Sequence, residues 1–124
     1  MITLEAYFDY YNEYMLTAEE TFELITTDSV LVIEGIFFKE NVDTNNIYVR
    51  LLAQLLHFEK DLKTNKDVII YLNYIIGYYV GLFLHPASGD ALGIHYLKKA
   101  ISLESSEDKI KLYETIIYMI LEIL

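Results

Sequence analysis

Three histidines and a set of evenly spaced carboxylates are the side chains in this sequence whose types and spacing could do chemistry. His85 and His95 could bind a metal ion if Glu59 joined them, and His57 is the third imidazole. No two histidines stand four residues apart and no His-Glu-x-x-His pattern occurs, so that set would need a tertiary coincidence. Partly exposed, structural histidines are the expectation, with no metal. Glu5, Asp9 and Glu13 recur at i,i+4. A pair of them could act as general acid and base in a glycosidase-like reaction only if burial raised one of the two. They fall on a helix face that should be wet, which keeps carboxylates ordinary. Cysteine is absent, which excludes a thiol nucleophile, a zinc–thiolate site and a disulfide framework. There is no Gly-x-Ser-x-Gly elbow and no glycine-rich phosphate loop followed by Lys-Ser/Thr. Neither catalysis nor a cofactor is expected. A binding role is.

The elements that would position these groups are helices. One proline and five glycines in 124 residues leave few breakers, and 54% apolar residues are enough for a single domain with its own core. Thr3 caps a first helix to about Met15, with Leu4, Tyr7, Phe8, Tyr11, Tyr14 and Met15 on its apolar side. Thr17-Ala-Glu-Glu20 is a capping-box pattern that starts a second helix near Ala18, with Phe22 and Ile25 inward and Glu19, Glu20 and Glu23 outward. Val30–Phe38 would suit a strand by its β-branched residues, but a lone strand has no partner, so a buried helix is expected there. Ile47–Leu62 reads as a helix with Val49, Leu51, Leu52, Leu55, Leu56 and Phe58 apolar and Arg50, Gln54, Glu59 and Lys60 polar. Thr64–Asp67 should cap the next helix, Val68–Leu84, which is apolar nearly all round and therefore central. Asp90–Leu103 is a further helix. Ser105–Asp108 caps the last, where Ile110, Tyr113, Ile117, Ile120 and Leu124 form a stripe widened by Ile116 and Ile123. Lys111, Thr115, Tyr118 and Glu122 should face away. The expected fold is all-α: a compact bundle or short stack of about six to seven antiparallel helices over residues 1–124. The last helix either packs internally or pairs with a second copy, so a homo-oligomer stays open.

Residues 68–84 carry no formal charge, follow Lys60, Lys63 and Lys66, and contain Gly77-x-x-x-Gly81, the small-residue spacing of membrane helix pairs. The stretch is at the short limit for a span, and it would put Asn73 and four tyrosines into hydrocarbon. A core helix whose glycines admit a close neighbour is the expectation, with a small membrane protein as an alternative.

Charge is the main functional lead. The formal net charge is −10, which disfavours nucleic acid and anionic membrane surfaces as partners. It is also segregated. Glu5, Asp9, Glu13, Glu19, Glu20, Glu23, Asp28 and Glu34 precede the first basic residue, Lys39. Tyr10 borders that acidic stripe. A tyrosine beside carboxylates suits a protein interface: the ring supplies contact area and the acids supply steering. The expected partner-binding residues are Glu5, Asp9, Tyr10, Glu13, Glu19, Glu20 and Glu23, facing a basic protein. No signal peptide is expected at Met1–Glu5, and a cysteine-free acidic chain fits a cytoplasmic location.

Two resemblances bear on this. Gly93-Ile-His-Tyr-Leu97-Lys-Lys-Ala100-Ile-Ser-Leu103 is similar to the second helix of a tetratricopeptide-type repeat, with Gly93 and Ala100 at the small positions and Leu97 at the large one. Ile76-Gly77 and Val80 would match the first helix, so residues 71–103 look like a degenerate hairpin of that kind. The loop around Pro86 is longer than the repeat allows, and its terminal proline is missing. The resemblance implies stacked helical hairpins, and as an alternative function a peptide-binding adaptor with a groove around Asn73, Tyr78 and Tyr96. At the level of class, small size, acidity and the absence of cysteine and catalytic motifs resemble immunity proteins or antitoxins. Such a protein would cover the basic active site of a toxin such as a nuclease.

Overall fold

The computed structural model describes residues 15–23, 44–84 and 86–123. Among these the secondary structure is all-helical, with no strand. The elements are α1 (Ala18–Thr21), α2 (Thr44–Glu59), α3 (Leu62–Tyr79) running on into a π-helical turn (Val80–Leu84), α4 (Gly89–Leu103) and α5 (Glu107–Ile123). The helix expected up to Met15 lies outside the described residues except for Met15 itself, and Val30–Phe38 lies outside them entirely.

The helices pack in sequence order, α2 on α3, α3 on α4 and α4 on α5. Gly77 meets Leu97 and Gly81 meets Gly93, so α3 and α4 run antiparallel. Tyr74 meets Tyr113 and Gly81 meets Ile120, so α5 lies parallel to α3. The centre is α3, as its uncharged sequence implies. Ile69, Leu72, Ile75, Ile76 and Val80 are each at most 1% exposed, and burying such a side chain stabilises by about 1.5–3 kcal/mol. By length and composition, Leu62–Leu84 is long and apolar enough to cross a membrane, but 67% of its most apolar window is covered by its neighbours.

Close packing of α3 on α4 depends on three glycines. A Cβ on Gly93 would stand 2.8 Å from the Gly81 Cα and 3.0 Å from the Gly77 carbonyl oxygen. Ala100, fully buried, continues the same thin face of α4. The glycine spacing that would suit a membrane pair thus serves contacts inside the chain.

Four local expectations need correction. The cap of α3 is Asp61, whose side chain accepts the Thr64 N–H at 3.2 Å, three residues before the polar run Thr64–Asp67. Asn65 within that run takes non-helical angles, φ −106 and ψ 18, and its amide donates to the Phe58 carbonyl at 3.3 Å. The run is therefore a kink within a helix, because side chains that compete for backbone partners can bend a helix as well as start one. Gln54, expected outside, is fully buried, while Val49 and Leu56, expected inside, are 59% and 57% exposed. Gln54 can be buried because both ends of its amide are satisfied by the backbone of Leu16, at 3.0 and 2.7 Å. Phe22, expected inward, is 38% exposed, and the inward residue of α1 is Thr21. The Thr21 hydroxyl donates to the Thr17 carbonyl at 2.9 Å, which makes a small polar side chain acceptable there.

Candidate binding groove

The α4–α5 turn closes one end of a groove of about 680 Å³, with Tyr71 and Tyr74 of α3 and Tyr113 of α5 in its wall. That volume is in the usual range for ligand sites. Tyr74 and Tyr113 are nearly buried, with ring centres 5.2 Å apart, and Tyr71 stands edge-on to Tyr74 at 5.9 Å. These separations are typical of favourable aromatic pairs. Asp67, Lys109, Leu112 and Phe22 complete the rim.

Glu104 is the fixed charge of the groove. It caps the end of α4, and its Oε1 accepts the Tyr113 hydroxyl at 2.8 Å. Its Oε2 accepts the backbone N–H groups of Ser105 and Ser106, at 3.1 and 3.3 Å. Burial pushes this carboxyl up, but the Tyr113 hydroxyl, those N–H groups and the charge of Lys109 together outweigh burial and hold it below its ordinary value. Tyr113 is pushed the other way, above the ordinary phenol, first by burial and then by its bond to Glu104. A carboxylate held ionised and a phenol held protonated are poor proton carriers near neutrality. Together with the half-buried ring of Tyr71 they make a surface suited to holding a cation.

The other side of the groove meets the acidic segment. Phe22 lines it, and Glu19 and Glu23, its close neighbours in sequence, are exposed. Glu20 has a structural task. Its carboxylate accepts the Thr17 N–H at 3.1 Å while the Thr17 hydroxyl accepts the Glu20 N–H at 3.2 Å, the capping box read from the sequence. Glu5, Asp9, Tyr10 and Glu13 lie outside the described residues.

Of the other candidates, His57 and His95 are exposed, His57 tilted against Phe58 and His95 edge-on to Tyr96, while His85 lies outside the described residues. Among the described residues no group of three or more His, Asp or Glu could hold a metal ion. Asn73, named for an adaptor groove, is fully buried; its amide donates to the Ile69 carbonyl at 2.9 Å and it offers nothing to a peptide. Tyr96 is half-buried at the α2–α4 seam, pushed up to about 12 by burial and by its bond with Tyr48.

Sequence reasoning missed Tyr71, Tyr74, Glu104, Lys109 and Tyr113 as one site. The available signal was Glu104 itself, an acid in the short link between two apolar helices, nine residues before a stripe tyrosine. The chain matches no family model, no curated protein and no solved structure.

Proposed function

We propose that this chain is an acidic helical protein that binds and occludes a basic protein partner. Its most concrete form is an immunity protein or antitoxin neutralising a toxin such as a nuclease in the cytoplasm. On this reading the whole chain is a bundle or short stack of six to seven helices, those described above plus the ones expected before α1 and at Val30–Phe38. The observation that carries the reading is charge placement. Residues 1–38 hold eight acids and no Lys or Arg, and the Phe22 edge of that segment adjoins a groove built from tyrosines and a held carboxylate. Acids concentrated at one pole raise the encounter rate with a basic surface and penalise acidic competitors. A nuclease active site is such a surface, and carboxylates placed on it compete with the phosphate backbone.

The test begins with affinity capture on the tagged chain and identification of the captured protein by mass spectrometry. The purified partner is then assayed alone and with the chain. A basic protein whose activity falls with added chain, and whose association slows as salt rises, supports the reading. A neutral or acidic partner bound equally well at all salt concentrations overturns it.

A further inference from the structure

We infer that the tyrosine-walled groove between α3, the α4–α5 turn and α5 is the anchor pocket for an arginine side chain of the basic partner. This inference rests on the docking role just proposed and assigns it a place. Three features select a guanidinium. The half-buried ring of Tyr71, backed by the buried rings of Tyr74 and Tyr113, offers π surface beside which a flat cation can stack. The Glu104 carboxylate is fixed by three hydrogen bonds that use one direction on Oε1 and two on Oε2. It is therefore oriented before the partner arrives, and at least one lone-pair direction on Oε1 is left for a new donor. Asp67 also lines the groove and supplies a second carboxylate.

Arginine fits this better than lysine. Its planar fork can stack on a ring and donate to a carboxylate at once, and it is more weakly hydrated, so entering a part-apolar groove costs less. The apolar rim, Phe22 and Leu112, suits the methylene stem. Lys109 is the cation on the rim and works against any cationic guest. It is exposed, so it can be replaced without touching the core. It thereby provides a variant expected to bind more tightly than the native chain.

The experiment titrates the full chain with a tetra-arginine peptide and, separately, a tetra-lysine peptide of equal charge, following tyrosine ring resonances by NMR and affinity by calorimetry. Tetra-arginine should bind several-fold more tightly than tetra-lysine and shift the Tyr71 and Tyr113 rings. Glu104→Gln and Tyr71→Ala should each weaken it roughly tenfold, and Lys109→Glu should strengthen it several-fold. Equal affinity for the two peptides, or shifts that spare these rings, would mean diffuse attraction to an acidic protein and would overturn the pocket. Lys109→Glu and Glu104→Gln are then measured against the captured partner beside a Glu5→Lys, Asp9→Lys, Glu13→Lys triple variant. If only the triple variant loses binding, the docking role stands and the arginine pocket falls. If all bind as the native chain does, both fall.

Discussion

Gln54 pairs with the backbone of Leu16 at both ends: its Oε1 accepts the Leu16 N–H at 3.0 Å and its Nε2 donates to the Leu16 carbonyl at 2.7 Å. A side-chain amide here does what a neighbouring strand would do for an extended residue. It holds the segment leading into α1 against α2, with Leu16 itself 1% exposed in the core. Gln54→Leu keeps the volume but strands a buried donor and a buried acceptor. Each unsatisfied group costs about 1–3 kcal/mol, so the expected loss is about 3 kcal/mol, read as a lower midpoint in urea unfolding. Gln54→Glu should be at least as damaging, because it buries a charge and removes the donor.

The glycine contact between α3 and α4 gives a ranking. Alanine at an exposed helix position would gain about 1 kcal/mol over glycine. At Gly93 the new methyl meets the backbone of Gly81 and Gly77, which can yield only if the helices part. Overpacking costs about 1–3 kcal/mol, so Gly93→Ala should destabilise by about 1–2 kcal/mol net. At Gly81 the obstacle is the Ile120 side chain, whose end can rotate or be shortened. Gly81→Ala should cost less, and Ile120→Val should recover part of that loss in the double variant but not with Gly93→Ala. Thermal unfolding of the four variants decides it.

These two contacts show what the sequence could and could not reveal. The central place of α3 was legible because a helix with no charge from Val68 to Leu84 has no face to give to water. The buried faces of Tyr113, Ile116 and Ile120 followed from their spacing on α5. Gln54 was not legible, since a polar residue reads as exposed until its partner, 38 residues away, is known. Phe22 was misplaced for a related reason: on a helix as short as α1, Thr21 could turn inward by bonding its hydroxyl back to Thr17. The groove was hidden because its walls come from Phe22 just after α1, from α3, from the α4–α5 turn and from α5, and no local pattern joins them. Among the described acidic candidates, the capping role of Glu20 could be read directly, because a capping box is complete within four residues.

The Tyr113–Glu104 bond should give stability a pH dependence at both ends of the scale. Glu104 has a lowered folded value, so its contribution is present above the ordinary 4.5 and is lost as pH falls through the folded value. Tyr113 has a raised folded value, so its contribution is present below 10.0 and is lost as pH rises beyond it. Tyr113→Phe should cost about 1 kcal/mol at neutral pH. The gap between variant and native chain should narrow below pH 4.5 and again above pH 10. Urea unfolding across pH 3–11 measures it, and a constant gap would mean the hydroxyl contributes nothing through Glu104.

Ser88 is the one described non-glycine residue with positive φ, at φ 62 and ψ 24, and it precedes α4 without a side-chain cap bond. An L-residue pays about 1–2 kcal/mol in this region. Glycine avoids that but loses more chain entropy on folding, about 0.5–1 kcal/mol. Ser88→Gly should therefore stabilise by about 0.5 kcal/mol, and Ser88→Val should destabilise by more than 1 kcal/mol. Both are read as shifts in melting temperature.

The acidic pole permits a test in which stability and binding move in opposite directions. On the helix expected over Thr3–Met15, Asp9 stands four residues from both Glu5 and Glu13. Like charges at that spacing destabilise a helix by about 0.2–0.5 kcal/mol per pair, and opposite charges stabilise it by a similar amount. Asp9→Lys exchanges two repulsions for two attractions, so the chain should melt at the same or a slightly higher temperature. If the stripe is kept for docking, the same change should slow association with the basic partner and flatten its dependence on salt, since fewer fixed charges then steer the encounter. Stopped-flow association at low and high salt, run beside calorimetry on the same samples, reads both effects. A variant that is as stable as the native chain and associates just as fast would show that the stripe only solubilises.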